Sequence, residues 1–253
     1  MRTFSVASGS SGNCIFIESE QGAKVLVDFG LSYSRTKEIL EQKGIEIESI
    51  TAVFITHEHA DHVAGLESFL KNCSAKCYIT KGTAEALNFN SENFIFIKDH
   101  ELVNIKDLKV LSVSKPHDAN EPVHFILDDG KKLGVFTDFG HVDDRTLHLL
   151  KNLDLIYFET NYCEDHIVKN KEKYNPHYLQ RLTSNVGHLG LKQSIDAILE
   201  FASDSQKIIL SHISENSNTY ENTYTKVVNS VKNNGLNPQI YVSFQGEPSP
   251  WIE

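Results

Sequence analysis

The sequence predicts an α/β fold in which two β-sheets lie between layers of helices. Short β-branched and aromatic runs indicate strands, which concentrate near the start and the middle of the chain. Helical periodicity follows strands in both halves, and this fits two sandwiched sheets better than one doubly wound sheet. The predicted strands are 3–7, 14–18, 24–28, 51–56, 76–79, 93–97, 108–113, 123–128, 132–137, 154–159, 207–211 and 239–243. The predicted helices are 34–43, 61–71, 82–88, 143–151, 176–183, 190–202 and 220–233.

Length and charge limit the classes of protein that this chain can represent. With 253 residues, no linker and no repeat, we predict a single domain over residues 1–253. Lys and Arg number 24 and Asp and Glu number 34, and the resulting net charge of −10 argues against a protein that coats nucleic acid by charge. A nuclease stays open as a function, because bound divalent ions reverse the potential inside an acidic pocket.

The first residues and the cysteines bear on location. The N-terminus has no apolar signal region, and no apolar run approaches the roughly 20 residues that span a bilayer. The four cysteines suit a reducing compartment. We therefore predict a cytoplasmic protein that does not associate with a membrane.

The stretch ITHEHADHVAG, residues 55–65, places three histidines and an aspartate between a predicted strand and a predicted helix. In extended backbone, residues two apart point the same way, so His57 and His59 can share one ion. Asp61 and His62 fall in the first helical turn and can serve a second ion. A polar turn with chance histidines is the alternative, but this density of ligand-type side chains favours a metal site.

Further ligands are predicted at the ends of other strands, because one junction cannot complete two metal sites. His117 follows the strand LKVLSVS, Asp138 ends LGVFTD, and His212 ends KIILSH. Asp138 can bridge two ions, since a carboxylate has two oxygens and an imidazole offers one free nitrogen. Carboxylate and neutral imidazole suit zinc, so we predict two zinc ions, with manganese or iron as alternatives.

Two regions are candidates for contact with the substrate. The loop SGSSGN, residues 8–13, lets backbone amides approach a phosphate, and Ser11, Gly12 and Asn13 are the predicted contacts. A plain hairpin turn is the alternative, and it is favoured for the first three residues of the loop. The second region is basic and comprises Lys169, Lys171, Lys173 and Arg181. These side chains can bind further phosphates, or they can form a solvated charged face of a helix.

Hydrolysis at a site with two metal ions needs a nucleophile that is strong at neutral pH and an acid for the leaving group. Two ions about 3.5–4 Å apart can hold a hydroxide between them, and Asp61 can orient its proton. His188 is the candidate acid, because it precedes a predicted helix whose amino end favours anions. A histidine with a structural hydrogen bond only is the alternative for His188.

Taken together, these motifs resemble those of the metallo-β-lactamase-fold hydrolases. HEHADH resembles their His-x-His-x-Asp-His signature, and PHD, TDFG and LSHIS resemble the remaining ligand motifs in the right order. VDFG resembles the early aspartate motif. A narrower resemblance, to YycJ/WalJ-type single-domain members, depends on FSVASGSSGN, SKPHDANEP, FETNYCED and NVGHLG. The resemblance implies a four-layer αββα sandwich and a 5′-to-3′ exonuclease that acts on DNA.

The resemblance also implies roles for individual residues. It assigns one ion to His57, His59 and His117. It assigns the second ion to Asp61, His62 and His212, with Asp138 bridging both ions. Asp28 would support a ligand imidazole from behind, and Asn161 would contact substrate. The sequence departs from the family pattern at GHLGL and over residues 161–175, both in the presumed substrate region.

We therefore predict a dinuclear metal-dependent phosphodiesterase, a nuclease with DNA preferred over RNA and no obligate protein partner. A thioesterase or lactonase with the same metal cage is the alternative. Such enzymes usually carry an additional carboxyl-terminal helical segment, and here the chain ends soon after His212. A β-lactamase, a diiron oxygen or nitric oxide reductase and a non-catalytic binding module fit the ligand pattern less well.

Overall fold

The computed structural model describes all 253 residues, and they form two compact units. The first unit comprises Met1–Ser114, Ala119–Gly130 and Phe244–Glu253, and the second comprises Lys115–Asp118 and Lys131–Ser243. Each unit combines helices with a β-sheet, as the predicted α/β class requires. None of the helices has the length and hydropathy that a bilayer-spanning segment requires.

The first unit contains a six-stranded sheet in which neighbouring strands follow chain order. The first three strands pair antiparallel, and the pairing from the third to the sixth strand is parallel. Near-continuous apolar runs form its inner strands, because both faces of these strands are buried. The strands are β1 (Arg2–Ala7), β2 (Cys14–Glu18), β3 (Lys24–Val27), β4 (Ala52–Phe54), β5 (Lys76–Thr80) and β6 (Phe94–Ile97).

Three more strands of this unit pair antiparallel: β7 (Leu102–Ile105), β8 (Leu108–Ser114) and β9 (Val123–Asp128). The sequence did not predict β7. Within this unit β7 pairs with β8 alone, and Leu102 is 56% exposed, so the strand has no buried apolar face for a pattern to reveal.

The helices of the first unit are α1 (Tyr33–Gln42), α2 (Ala60–Val63), α3 (Leu66–Asn72) and α4 (Lys81–Ala86). The prediction of one helix over 61–71 is wrong, because the helix is interrupted at Gly65. The Gly65 amide donates to the Phe29 carbonyl at 3.1 Å, and a Cβ at this position would lie 2.0 Å from the Leu31 carbonyl oxygen. This close approach of two backbones fixes α2 beside the end of β3.

The second unit contains four parallel strands, β10 (Lys132–Phe136), β11 (Leu155–Glu159), β12 (Lys207–Ser211) and β13 (Gln239–Val242). Its helices are α5 (Asp144–Leu150), α6 (Glu164–Lys169), α7 (Pro176–Leu182), α8 (Leu191–Phe201) and α9 (Tyr220–Asn233). The sequence did not predict α6, because only Ile167 of its residues is buried and no apolar stripe forms. Since the carboxyl ends of parallel strands meet at one edge, residues that follow β10, β11 and β12 lie close together.

Candidate metal centre

In the first unit, the chain between β4 and α2 presents two imidazoles to each other. The Nε2 atom of His57 lies 3.0 Å from the Nδ1 atom of His59. The other ring nitrogen of His57, Nδ1, lies 2.9 Å from the hydroxyl of Thr56. His57 is fully buried and His59 is half-buried. The geometry therefore brings together the two side chains whose spacing predicted a shared ion.

A buried carboxylate orients His62. The amide and the hydroxyl of Thr56 donate to Asp28 at 2.8 Å and 2.9 Å, and His62 Nδ1 lies 2.7 Å from Asp28 Oδ2. An ionised carboxylate only accepts hydrogen bonds, so His62 Nδ1 carries the proton and Nε2 keeps a lone pair. Asp28 thus lies behind the ring of His62, and its role in supporting a metal ligand stays a prediction.

The lone pair of His62 faces a second electron-pair donor. His62 Nε2 lies 3.4 Å from Asp61 Oδ2, and a carboxylate oxygen and an unprotonated nitrogen have no hydrogen to share. The amide nitrogen of Asn13 lies 3.1 Å from His62 Nε2 and 3.2 Å from Asp61 Oδ2, and so reaches both acceptors. This pair of nitrogen and oxygen donors fits the ligand chemistry of zinc, manganese or iron.

Backbone hydrogen bonds connect the three loops that carry these residues. The Asn13 amide donates to the Asp61 carbonyl at 2.7 Å, and the Gly30 amide donates to the Asn13 carbonyl at 2.9 Å. The Phe29 amide donates to the His62 carbonyl at 2.8 Å. Gly30 is required here, because a Cβ would lie 1.8 Å from the Asp61 carbonyl oxygen. We call this connected set of loops the stitched floor.

Three of the candidate residues have left-handed backbone: φ is 62° at Asp28, 58° at Asp138 and 53° at His212. They follow β3, β10 and β12, all of which lie in parallel pairings. Asp and His adopt this conformation more readily than most residues, although it costs about 1 kcal/mol per residue. The chain therefore turns sharply at the residues whose side chains carry the chemistry.

In the second unit, the strand ends bring four ligand-type side chains together. One ligand atom from each of Asp138, Glu159, His188 and His212 lies within 4.8 Å of the others. His212 Nε2 lies 3.2 Å from Asp138 Oδ1, and its Nδ1 lies 3.4 Å from Glu159 Oε1. A proton on Nδ1, shared with Glu159, leaves the Nε2 lone pair facing a carboxylate oxygen. This is again a donor set that a divalent cation fits.

Glu159 was missed by the sequence reading, and it is the buried carboxylate of this cluster. Its Oε1 atom lies 2.7 Å from His188 Nδ1, and its Oε2 atom accepts from the Phe139 amide at 3.0 Å. Burial alone would raise the pKa of Glu159, but the charge and hydrogen bond of His188 and the hydrogen bond of His212 outweigh burial and lower it. Glu159 therefore stays ionised and orients both imidazoles.

His117 also belongs to the second unit, and its ring lies 5.4 Å from that of His188. Its Nδ1 atom lies 3.1 Å from the Gly187 carbonyl oxygen, so Nδ1 donates and Nε2 keeps a lone pair. Burial lowers the pKa of His117 to about 3, although the charge of Asp138 opposes this shift. The ring is therefore neutral at physiological pH, which is the form that binds metal.

The predicted substrate contacts lie in different surroundings. Ser11 is exposed, whereas Gly12 and Asn13 are buried in the stitched floor. Asn161 is buried, and its side-chain amide lies 2.8 Å from His212 Nδ1. With its otherwise unpartnered Oδ1 turned to the ring, Asn161 accepts the Nδ1 proton, so it contacts a candidate ligand. Arg181 is exposed and bonded to Asp118, the residue that follows His117. The substrate roles of these residues stay predictions.

Comparisons with known proteins give relatives for most of the chain. The family model for the metallo-beta-lactamase superfamily matches residues 7–149. Exodeoxyribonuclease YycJ of Bacillus anthracis is 30% identical over 227 residues, which cover 86% of this chain and 84% of that protein. Exodeoxyribonuclease WalJ of Streptococcus pneumoniae is 29% identical over 236 residues, which cover 89% of this chain and 86% of that protein.

A solved structure has the same fold. The metallo-beta-lactamase fold protein YhfI from Bacillus subtilis matches with a TM-score of 0.74 and 14% sequence identity. The match covers 99% of this chain and 100% of that chain. Together with the family model, this likeness confirms the predicted fold class.

Proposed function

This chain belongs to the metallo-β-lactamase superfamily, and from that premise we propose that it is a dinuclear metal-dependent phosphodiesterase that degrades DNA from an end. Two relatives that match over most of their length, YycJ and WalJ, are named exodeoxyribonucleases. The observation that supports the proposal is that each unit pairs an imidazole with a carboxylate as potential metal ligands. In each unit a second, buried carboxylate contacts the other ring nitrogen: Asp28 contacts His62, and Glu159 contacts His212. DNA is preferred over RNA, and 5′-to-3′ polarity is the proposed direction.

We propose a single metallo-hydrolase domain over residues 1–253 that binds two ions. His57, His59 and His117 would hold one ion. Asp61, His62 and His212 would hold the other ion, and Asp138 would contact both. Zinc is the first choice for these nitrogen and oxygen donors, with manganese or iron as alternatives. The cytoplasmic location predicted from the sequence accords with a DNA substrate.

Two divalent ions, when bound, supply a water nucleophile that is active at neutral pH and neutralise charge on the phosphate. Asp61 is half-buried and held by the Asn13 amide, so its carboxylate can accept a proton from the attacking water and orient it. On the opposite side of the reaction, the leaving alkoxide needs a proton. His188 can deliver it from Nε2, because Glu159 holds Nδ1 and stabilises the positively charged ring.

We predict that His188→Ala lowers kcat on DNA by about 10²-fold or more, since general acids contribute about 10²–10⁴-fold. Hydrolysis of bis(p-nitrophenyl) phosphate should fall less than about tenfold, because p-nitrophenolate leaves without protonation. Steady-state kinetics on both substrates measure the difference. Equal losses on the two substrates would show that His188 has only a structural role.

We predict that Asp28→Asn weakens zinc binding by about 10–100-fold, the usual effect of losing a partner behind a ligand imidazole. Asparagine tolerates the left-handed backbone, so the change removes charge and one acceptor while the turn stays intact. Competition with a chromogenic chelator measures the affinity. Asp196→Asn, which alters an exposed aspartate of α8, is the matched control. Unchanged affinity in Asp28→Asn would contradict a supporting role.

The proposed function is tested by metal-dependent turnover of three substrates in parallel. Wild-type protein is dialysed against a chelator, then assayed with and without added zinc or manganese on end-labelled DNA, end-labelled RNA and a generic thioester. We expect metal-dependent shortening of DNA, with slower turnover of RNA. Thioester hydrolysis that is faster by orders of magnitude would replace the proposal with the thioesterase or lactonase alternative.

A further inference from the structure

The second unit contains a basic stretch in an otherwise acidic chain. Residues 166–182, which we call the basic segment, include four Lys or Arg residues and one Glu, a net charge of +3. The whole chain carries −10. The segment comprises the end of α6, a short 3₁₀ turn (Lys171–Lys173) and α7. Its three lysines make no ion pair with a carboxylate, so their charge is available to an anionic ligand.

Two tyrosines of the basic segment stack on each other. The ring centroids of Tyr174 and Tyr178 lie 6.3 Å apart, with an angle of 18° between the ring planes. Tyr174 is anchored: its hydroxyl donates to the Asn216 carbonyl at 2.6 Å, and its ring packs on the small cluster that contains Ile167 and Leu182. Tyr178 is 40% exposed. The ring of Tyr174 is therefore held in place, and the ring of Tyr178, which stacks on it, is exposed to solvent.

One turn of α7 connects this aromatic pair to a candidate metal ligand. Arg181 follows Tyr178 by three residues, so the two side chains lie on the same face of the helix. Arg181 is bonded to Asp118, whose amide donates to the Val186 carbonyl at 2.9 Å. Asp118 directly follows His117 in the chain. Through Arg181 and Asp118, the helix that carries Tyr178 is therefore connected to the chain beside His117.

We propose that Tyr178, supported by Tyr174, is a stacking platform for an unpaired nucleobase, and that the lysines of the basic segment contact the flanking phosphates. This proposal rests on the proposed nuclease function and names its substrate as a single-stranded or frayed end. Aromatic stacking tolerates every base because each base has a π-face, and one stacked base changes affinity by about 5- to 150-fold. Phosphate contacts from lysine add affinity without sequence preference.

The test compares Tyr178→Ala with Tyr178→Phe, which keeps the ring, and with Tyr224→Ala, which removes an equally exposed tyrosine from α9. Binding to the metal-loaded protein is measured by fluorescence anisotropy with a labelled single-stranded oligonucleotide whose phosphorothioate linkages resist cleavage. A second oligonucleotide carries abasic residues at its end. Turnover of bis(p-nitrophenyl) phosphate, which has no base, reports on the metal centre.

We expect Tyr178→Ala to weaken binding by about 5- to 150-fold, while Tyr178→Phe and Tyr224→Ala stay within about twofold of wild type. Wild type and Tyr178→Ala should bind the abasic oligonucleotide equally, and turnover of the small substrate should not change. If Tyr178→Ala binds the normal strand as wild type does while wild type digests DNA, the platform is wrong and the nuclease function stands. If Tyr178 governs binding but wild type digests no nucleic acid, the platform stands and the nuclease function is wrong.

Discussion

Replacing His59 with alanine is expected to reduce DNA hydrolysis by about 10³-fold or more and to leave the fold intact. Without this imidazole, one ion would lose a ligand and would no longer be held at its site. An ion that activates water and binds phosphate contributes several kcal/mol of transition-state stabilisation. His59 is half-buried and lies at the amino end of the short α2, so its removal leaves no large cavity. Asp138→Ala should cause a loss at least as large, because we propose that Asp138 contacts both ions.

Activity on end-labelled DNA and bound metal by elemental analysis are the two measurements for this prediction. Far-UV circular dichroism shows whether each variant folds, and Asp138→Ala should be slightly less stable because alanine at φ 58° is strained by about 1 kcal/mol. His148→Ala, on the exposed face of α5, is the matched control and should keep full activity. Full activity and metal content in both variants would refute the two-ion mechanism.

Gly30→Ala is expected to cause the largest loss of stability from a single methyl group in this chain. The new Cβ would lie 1.8 Å from the Asp61 carbonyl oxygen and 2.6 Å from the Asn13 amide nitrogen, and neither backbone atom can move without breaking the stitched floor. Overpacking of this kind costs about 3 kcal/mol, which for a chain of this size lowers Tm by about 6–12 °C. Activity should fall as well, because Asp61 and His62 would shift.

The control for this prediction is Gly44→Ala. Gly44 has φ of 74° and no atom within 4 Å of an added Cβ, so its substitution costs only backbone strain of about 1 kcal/mol. Urea denaturation of both variants separates the steric cost from the strain. If Gly30→Ala is no less stable than Gly44→Ala, the close approach of the two loops is not a constraint on folding.

The sequence predicted the strands, helices and side-chain proximities that follow simple local rules. Apolar strands ending in a polar residue identified Asp138 and His212, and the structure places their side chains 3.2 Å apart. The spacing of His57 and His59 predicted that they face the same way, and their nearest ring nitrogens are 3.0 Å apart. Parallel strands bring their carboxyl ends to one edge, which accounts for the approach of Asp138 to His212. The approach of His57 to His59 follows from extended backbone within one loop. The roles of these residues as metal ligands stay predictions.

The features that the sequence did not reveal depend on contacts between distant residues. Glu159 also lies at the end of an apolar strand, LIYFE. Its importance comes from its contacts with His188 and His212, which are distant in the sequence, so no local pattern distinguishes it from other polar residues at strand ends. The interruption at Gly65 comes from the Phe29 and Leu31 carbonyls, and no local pattern encodes their approach. Segments such as β7 and α6 bury too few apolar residues to show any periodicity.

The stitched floor also determines where this scaffold can be engineered. Loops joined by main-chain bonds between Asn13, Gly30 and Asp61 cannot be redesigned one at a time, since altering one displaces the other two. The basic segment has mostly exposed side chains and few main-chain hydrogen bonds to distant loops. The fold should therefore tolerate insertions and substitutions there. A directed-evolution library aimed at new polymer preferences would therefore yield most of its functional variants from residues 166–182.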